Sequence, residues 1–150
     1  MGFDSDPNFH GDFTQTIAGL TVGSTYTLSF YMAGAQEVFN GGPATTTSIT
    51  ATLGNETFTT PVIDTPGQGF TPWQLFSTTF TYAGGGDVLD FVATGGPGGA
   101  PPYALLDGVS LTGGGGPATP EASTWLMIVA GFAGLGLAAR ARRKSKAVLA

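Results

Sequence analysis

Phe70 and Trp73 stand three residues apart at the end of a Pro- and Gly-rich loop, Tyr31 lies on the polar side of an alternating stretch, and Tyr103 opens another such stretch. Flat aromatic faces with polar groups beside them suit stacking against sugar C–H groups while hydroxyls are fixed by hydrogen bonds. The competing reading of Trp73 is a plug at one end of the core. Residues 4–8, Asp-Ser-Asp-Pro-Asn, have the oxygen spacing of a calcium loop. An EF-hand would need Gly where Phe9 stands and Glu where Gln15 stands, so that motif is excluded. Catalysis has little to use. His10 is the one histidine and has no evident orienting partner; no strand-turn-helix nucleophile elbow is present. Glu37 and Glu56 could serve as a glycosidase pair only if the fold brought them to the right separation. An enzyme is not expected.

The elements that must position these residues are short and alternating. Over residues 25–32, Tyr26, Leu28, Phe30 and Met32 share one face while Thr25, Thr27, Ser29 and Tyr31 share the other, the period-two mark of a strand with one buried side. Similar stretches cover 13–17, 46–53, 56–60, 73–82, 88–94 and 103–111, with Phe76, Thr78, Phe80 and Tyr82 on one face of 73–82. Gly54-Asn55 makes a hairpin turn. Residues 36–45, 61–72 and 95–102 read as loops. Seven strands with turn signals between them predict an all-β fold, an antiparallel jelly-roll-like sandwich.

Composition agrees with a single modest domain and a tail: 150 residues with 25 Gly and 11 Phe. All ten carboxylates fall at or before Glu121 and all five cations after it. A domain without Lys or Arg repels a phosphate backbone, so nucleic acid is excluded as a partner. The absence of Cys excludes disulfides and thiolate sites. The start, Met1-Gly2-Phe3-Asp4, has neither a basic nor an apolar signal region. The expectation is a chain that begins at an internal methionine and lacks the first strands of its domain.

The tail carries the most specific pattern. Residues 113–119 form a Gly/Pro linker. Pro120, Glu121 and Ala122 precede an apolar run that opens at Trp125, contains Gly131-Phe132-Ala133-Gly134, and ends at the basic cluster Arg140, Arg142, Arg143, Lys144 and Lys146. A helix over 122–139 would be about 27 Å long, just short of a ~30 Å hydrocarbon core. The cations after it would keep that end cytoplasmic and send the rest outward. Over 120–146 this arrangement resembles the PEP-CTERM sorting domain of exopolysaccharide-producing Gram-negative bacteria, with Pro-Glu-Ala in place of the usual Pro-Glu-Pro. The resemblance implies a transmembrane helix that holds the chain in the inner membrane until exosortase, a membrane-embedded cysteine transpeptidase, cleaves near Pro120-Glu121. The chain would then reach the cell surface or extracellular matrix. A plain, uncut membrane anchor is the alternative.

Two further stretches, residues 15–30 from Gln15 and 104–111 from Ala104, look like galactose-binding-like β-sandwich domains, a superfamily rich in carbohydrate-binding modules. That likeness covers about residues 12–112 of an outer domain placed at 1–112. It implies glycan contacts at Trp73, Phe70, Tyr31 and Tyr103, extracellular polysaccharide as a partner, and a non-EF calcium site at Asp4, Asp6 and Asp107. No other cofactor is expected. Asp107, before Gly108, also fits a turn acceptor for backbone N–H groups. The leading expectation is an exported, non-catalytic surface or matrix protein; a carbohydrate-binding module with a defined glycan site is the alternative for its outer domain.

Overall fold

Alternation becomes strand at each of the seven places where the sequence shows it. The computed structural model describes residues 1–37, 42–100 and 102–114, all within one unit, Met1–Gly116. The strands are β1 (Gly2–Asp4), β2 (Asp12–Thr16), β3 (Thr25–Gln36), β4 (Thr45–Leu53), β5 (Glu56–Thr59), β6 (Ile63–Thr65), β7 (Gln74–Thr81), β8 (Val88–Gly96) and β9 (Pro102–Gly113). The described residues are all-β and contain no helix. Two strands were not expected. β1 is three residues at the start of the chain, and β6 is three residues between Pro61 and Pro66, inside the stretch read as a loop. Neither is long enough to display a period. The sequence-predicted linker beyond residue 114, the sorting motif, the transmembrane helix over 122–139 and the basic cluster lie outside the described residues.

A four-stranded sheet has the order β1-β9-β3-β7, and a second has the order β2-β8-β4-β5, with β6 also paired to β4. Every pairing is antiparallel. Apart from the β4–β5 hairpin and the short β6, successive strands pass from one sheet to the other, which is the strand order of a jelly roll. The hairpin turn places Gly54 at φ 60°, as the first position of a two-residue type II′ turn demands. A Cβ there would run into the Gly84 carbonyl. Asn55 N donates to that same carbonyl at 3.1 Å.

Between the sheets lies one core. Phe30 on β3 is fully buried and meets Phe91 edge-on at 5.3 Å and Phe58 at 6.2 Å, both from the opposite sheet. Tyr26, Leu28 and Met32 extend this inner face along β3, and Ile49, Ala51 and Leu53 answer it from β4. The three-residue β1 adds Phe3, which packs edge-on against Phe13 at 4.9 Å.

Polar side chains pin the loops at one end. Ser5 Oγ donates to the Pro102 carbonyl at 2.7 Å and accepts from Thr47 Oγ1 at 2.9 Å, both buried. Next to it Asp6, nearly buried, accepts from Asn8 N at 2.8 Å and Asn8 Nδ2 at 3.1 Å on Oδ1, and from Gly99 N at 2.7 Å on Oδ2. The backbone N–H groups of Asn8 and then Gly99 hold this carboxyl below its ordinary value of 3.8, against the opposing effect of burial.

Two consequences are measurable. Phe30→Ala should cost about 3–5 kcal/mol, because it removes a ring from the centre of the core and leaves a cavity; the check is a lower urea midpoint with an unchanged slope. The Asp6 carboxylate contributes stability that is present above the ordinary value of 3.8 and is lost as pH falls through the lower folded value. Asp6→Asn should therefore be less stable than the parent at neutral pH, and the gap between their urea midpoints should close as the pH is lowered below that range.

Candidate functional site: the outer face of the four-stranded sheet

β3 is the spine of the site. Its inner side chains enter the core, so its alternate residues Tyr31, Ala33 and Ala35 lie on the face turned away from the second sheet. On one side of it, β9 sets Asp107 across from Tyr31, Leu105 across from Ala33 and Tyr103 across from Ala35. On the other side, β7 sets Leu75 across from Tyr31. Trp73 continues the alternation of Leu75, Ser77 and Thr79 on that outer face, and Phe70 forms a bridge with Ala35. All four aromatic residues singled out by sequence, Trp73, Phe70, Tyr31 and Tyr103, thus share one face of one sheet.

Exposure supports this placement. Tyr31 and Trp73 are each 44 % exposed, Phe70 53 % and Leu75 59 %, while Tyr103 is half-buried. Trp73 is no plug: its alternation turns it away from the core. Ala33 is fully covered although, among the described residues, no sheet packs on this side, so the larger side chains around it close over it. Phe70 and Trp73 meet edge-to-face, with centroids 6.3 Å apart and planes at 69°. They form a corner, in which a ring stacked on one face is bordered by the other. Along the same face the aromatic end gives way to Ser29, Thr27, Ser77, Thr79, Ser110 and Thr112, and Thr27 Oγ1 and Thr79 Oγ1 lie 3.0 Å apart.

The corner is held by groups that sequence reasoning missed. Gly34 N donates to Thr71 Oγ1 at 2.8 Å, and Thr71 N donates to the Gly34 carbonyl at 2.9 Å. Gln36 N donates to the Gly69 carbonyl at 3.0 Å, while the buried Gln36 side chain accepts from Gln68 N and donates to the Pro43 carbonyl. These bonds carry the segment before β7 along the end of β3. Tyr31 depends on a bulge in β9, where the register with β3 shifts between Ser29 and Tyr31. Gly108 sits there at φ 57°, and a Cβ on it would come within 3.0 Å of the Tyr31 ring. The alternation that sets Phe76, Thr78, Phe80 and Tyr82 on one face puts Leu75 on the other, whereas the side-chain bonds of Gln36 and Thr71 leave no local signal.

The carboxylates proposed as calcium ligands do not converge. Asp4 lies across from Tyr103, and Asp107 is four residues further along β9, roughly 13 Å away at ~3.3 Å per residue. Asp4 Oδ1 accepts from Asp6 N at 2.8 Å, Asp107 Oδ1 accepts from Gly108 N at 2.8 Å, and both oxygens of Asp6 are engaged as above. Among the described residues, no three His, Asp or Glu side chains are grouped to hold a metal ion. His10 is exposed on the link between β1 and β2. On the other sheet, burial and then the neighbouring Asp12 raise the carboxyl of Asp90, against a lowering bond from Phe91 N. A cavity of about 200 Å³ between the sheets takes in Leu53, Phe58, Phe80 and Glu56; it falls below the ~300 Å³ at which small-molecule pockets begin.

No family model matches the chain, and no curated protein matches it either. Among solved structures it is similar to the C-terminal domain of EclA, titled a sugar-binding protein, at 14 % identity over 75 % of this chain and 77 % of that one, with a TM-score of 0.41. A likeness of that degree leaves the reading of the face to its own residues.

Proposed function

We propose that the outer domain binds polysaccharide through the outer face of β9, β3 and β7, with Trp73 and Phe70 as the stacking corner and Tyr31 and Tyr103 as further contacts. The observation that carries this reading is the gathering of Tyr31, Phe70, Trp73 and Tyr103 on one solvent-facing side. Sugar rings present C–H groups to aromatic faces and hydroxyls to polar neighbours, and the Ser and Thr side chains continuing along these strands supply such neighbours. The role is binding and not catalysis.

We further propose that the chain is exported and sorted by its tail, a reading supported by the order of Pro120-Glu121, the apolar run and the terminal cations in the sequence. Exosortase would be its processing partner, the inner membrane its transient location, and the cell surface or extracellular matrix of a Gram-negative bacterium its destination. The domain would then attach the released or re-anchored protein to extracellular polysaccharide.

Glycan arrays test the first proposal. Trp73→Ala and Tyr31→Ala should each lower affinity by about tenfold or more, as expected for buried-on-binding aromatic anchors. Unchanged binding in both would remove the face from consideration. Thr71→Val should weaken binding as well and cost about 1–3 kcal/mol of stability by leaving Gly34 N–H without its acceptor, whereas Thr71→Ser should restore both. For the second proposal, mass-spectrometric mapping of the mature C-terminus in the producing cell, with and without its exosortase, should place the end near Pro120 only when the enzyme is present. An intact Arg140 to Lys146 tail in both strains would make the segment an ordinary anchor.

A further inference from the structure

We infer that the ligand of the aromatic face is a polysaccharide without anionic groups, and that free amino groups on its sugars strengthen binding. This rests on the polysaccharide-binding reading and adds a charge rule to it. Residues 1–116 contain nine carboxylates and no Lys or Arg. A uronate or sulfated chain would therefore approach a field of its own sign with no Lys or Arg side chain to neutralise it. Screening does not remove the problem at contact distance, because the Debye length is about 8 Å at physiological salt.

Two of those carboxylates stand within the face itself. Asp107 is directly across from Tyr31, and Asp4 is directly across from Tyr103. Residues so paired share a face, with Cβ atoms about 4.5–5.5 Å apart. Each aspartate has its Oδ1 committed to a local backbone N–H, of Gly108 and of Asp6 respectively, and neither Oδ2 has a hydrogen-bond partner among the described residues. Each tyrosine thus has an aspartate as its cross-strand neighbour on this face. An ammonium group is attracted both to an aromatic face and to a carboxylate, so this repeated Tyr/Asp pair is suited to an amino sugar. A carboxylate or sulfate on the ligand would meet repulsion at both pairs.

Three polymers sharing a β-1,4-linked glucose-type backbone separate the terms: hydroxyethylcellulose, chitosan and carboxymethylcellulose. The protein is the full chain in mild detergent, with Arg140, Arg142, Arg143, Lys144 and Lys146 changed to Gln so that the tail does not itself recruit the anionic polymer. At low salt, chitosan should bind about tenfold tighter than hydroxyethylcellulose, with the advantage shrinking at high salt, and carboxymethylcellulose should not bind. Asp4→Asn combined with Asp107→Asn should collapse the difference between chitosan and the neutral polymer. Binding of carboxymethylcellulose as tight as that of the neutral polymer would overturn the charge rule and leave the aromatic face standing. Equal binding of chitosan and the neutral polymer would overturn the amino preference. Retention of none of the three by a protein with the circular dichroism of a folded β domain would overturn the face reading and this inference with it.

Discussion

The register of β3 is the constraint on which the rest of the domain depends. It is paired along its length by β9 on one side and along most of it by β7 on the other, and its side chains alternate between a core and a free face. Phe30 and Met32 can close the core only if Tyr31 and Ala33 point away from it, so one pairing decides both surfaces. A slip of one residue would exchange the two sets and lose both. Near its end, β3 also lies too close to β6 for any side chain at Gly34, where a Cβ would strike Thr65 Oγ1. That close approach places Ala35 and Gln36 where they can hold the segment carrying Phe70.

What was legible in the sequence was what alternation encodes. Residues 25–32 announced their buried and free faces, and the structure buries Tyr26, Leu28, Phe30 and Met32 as that pattern requires. The strand's continuation to Gln36 was not visible, because Ala33-Gly34-Ala35 offers no polar contrast. β6 was hidden for a related reason, since Ile63-Asp64-Thr65 between prolines is too short to show a period. Outside the regular strands, positioning comes from distant residues: Gly34 pairs with Thr71, and Gln36 with Pro43, Gln68 and Gly69. The aromatic types were therefore readable as candidates, whereas their convergence was a product of strand registers. The same registers separate Asp4 from Asp107, and no local spacing could have disclosed that.

The face is at once apolar and surrounded by negative charge. Exposed Tyr31, Phe70, Trp73 and Leu75 make the kind of contiguous patch that associates with other surfaces, and a neutral domain bearing it would tend to stack on copies of itself. Nine carboxylates without a compensating Lys or Arg oppose such self-association at long range, while leaving an uncharged sugar chain free to approach. On the polysaccharide-binding proposal, one charge distribution would then serve both ends. The five cations are confined to the tail, so a chain cut after Glu121 would keep every carboxylate and lose every Lys and Arg.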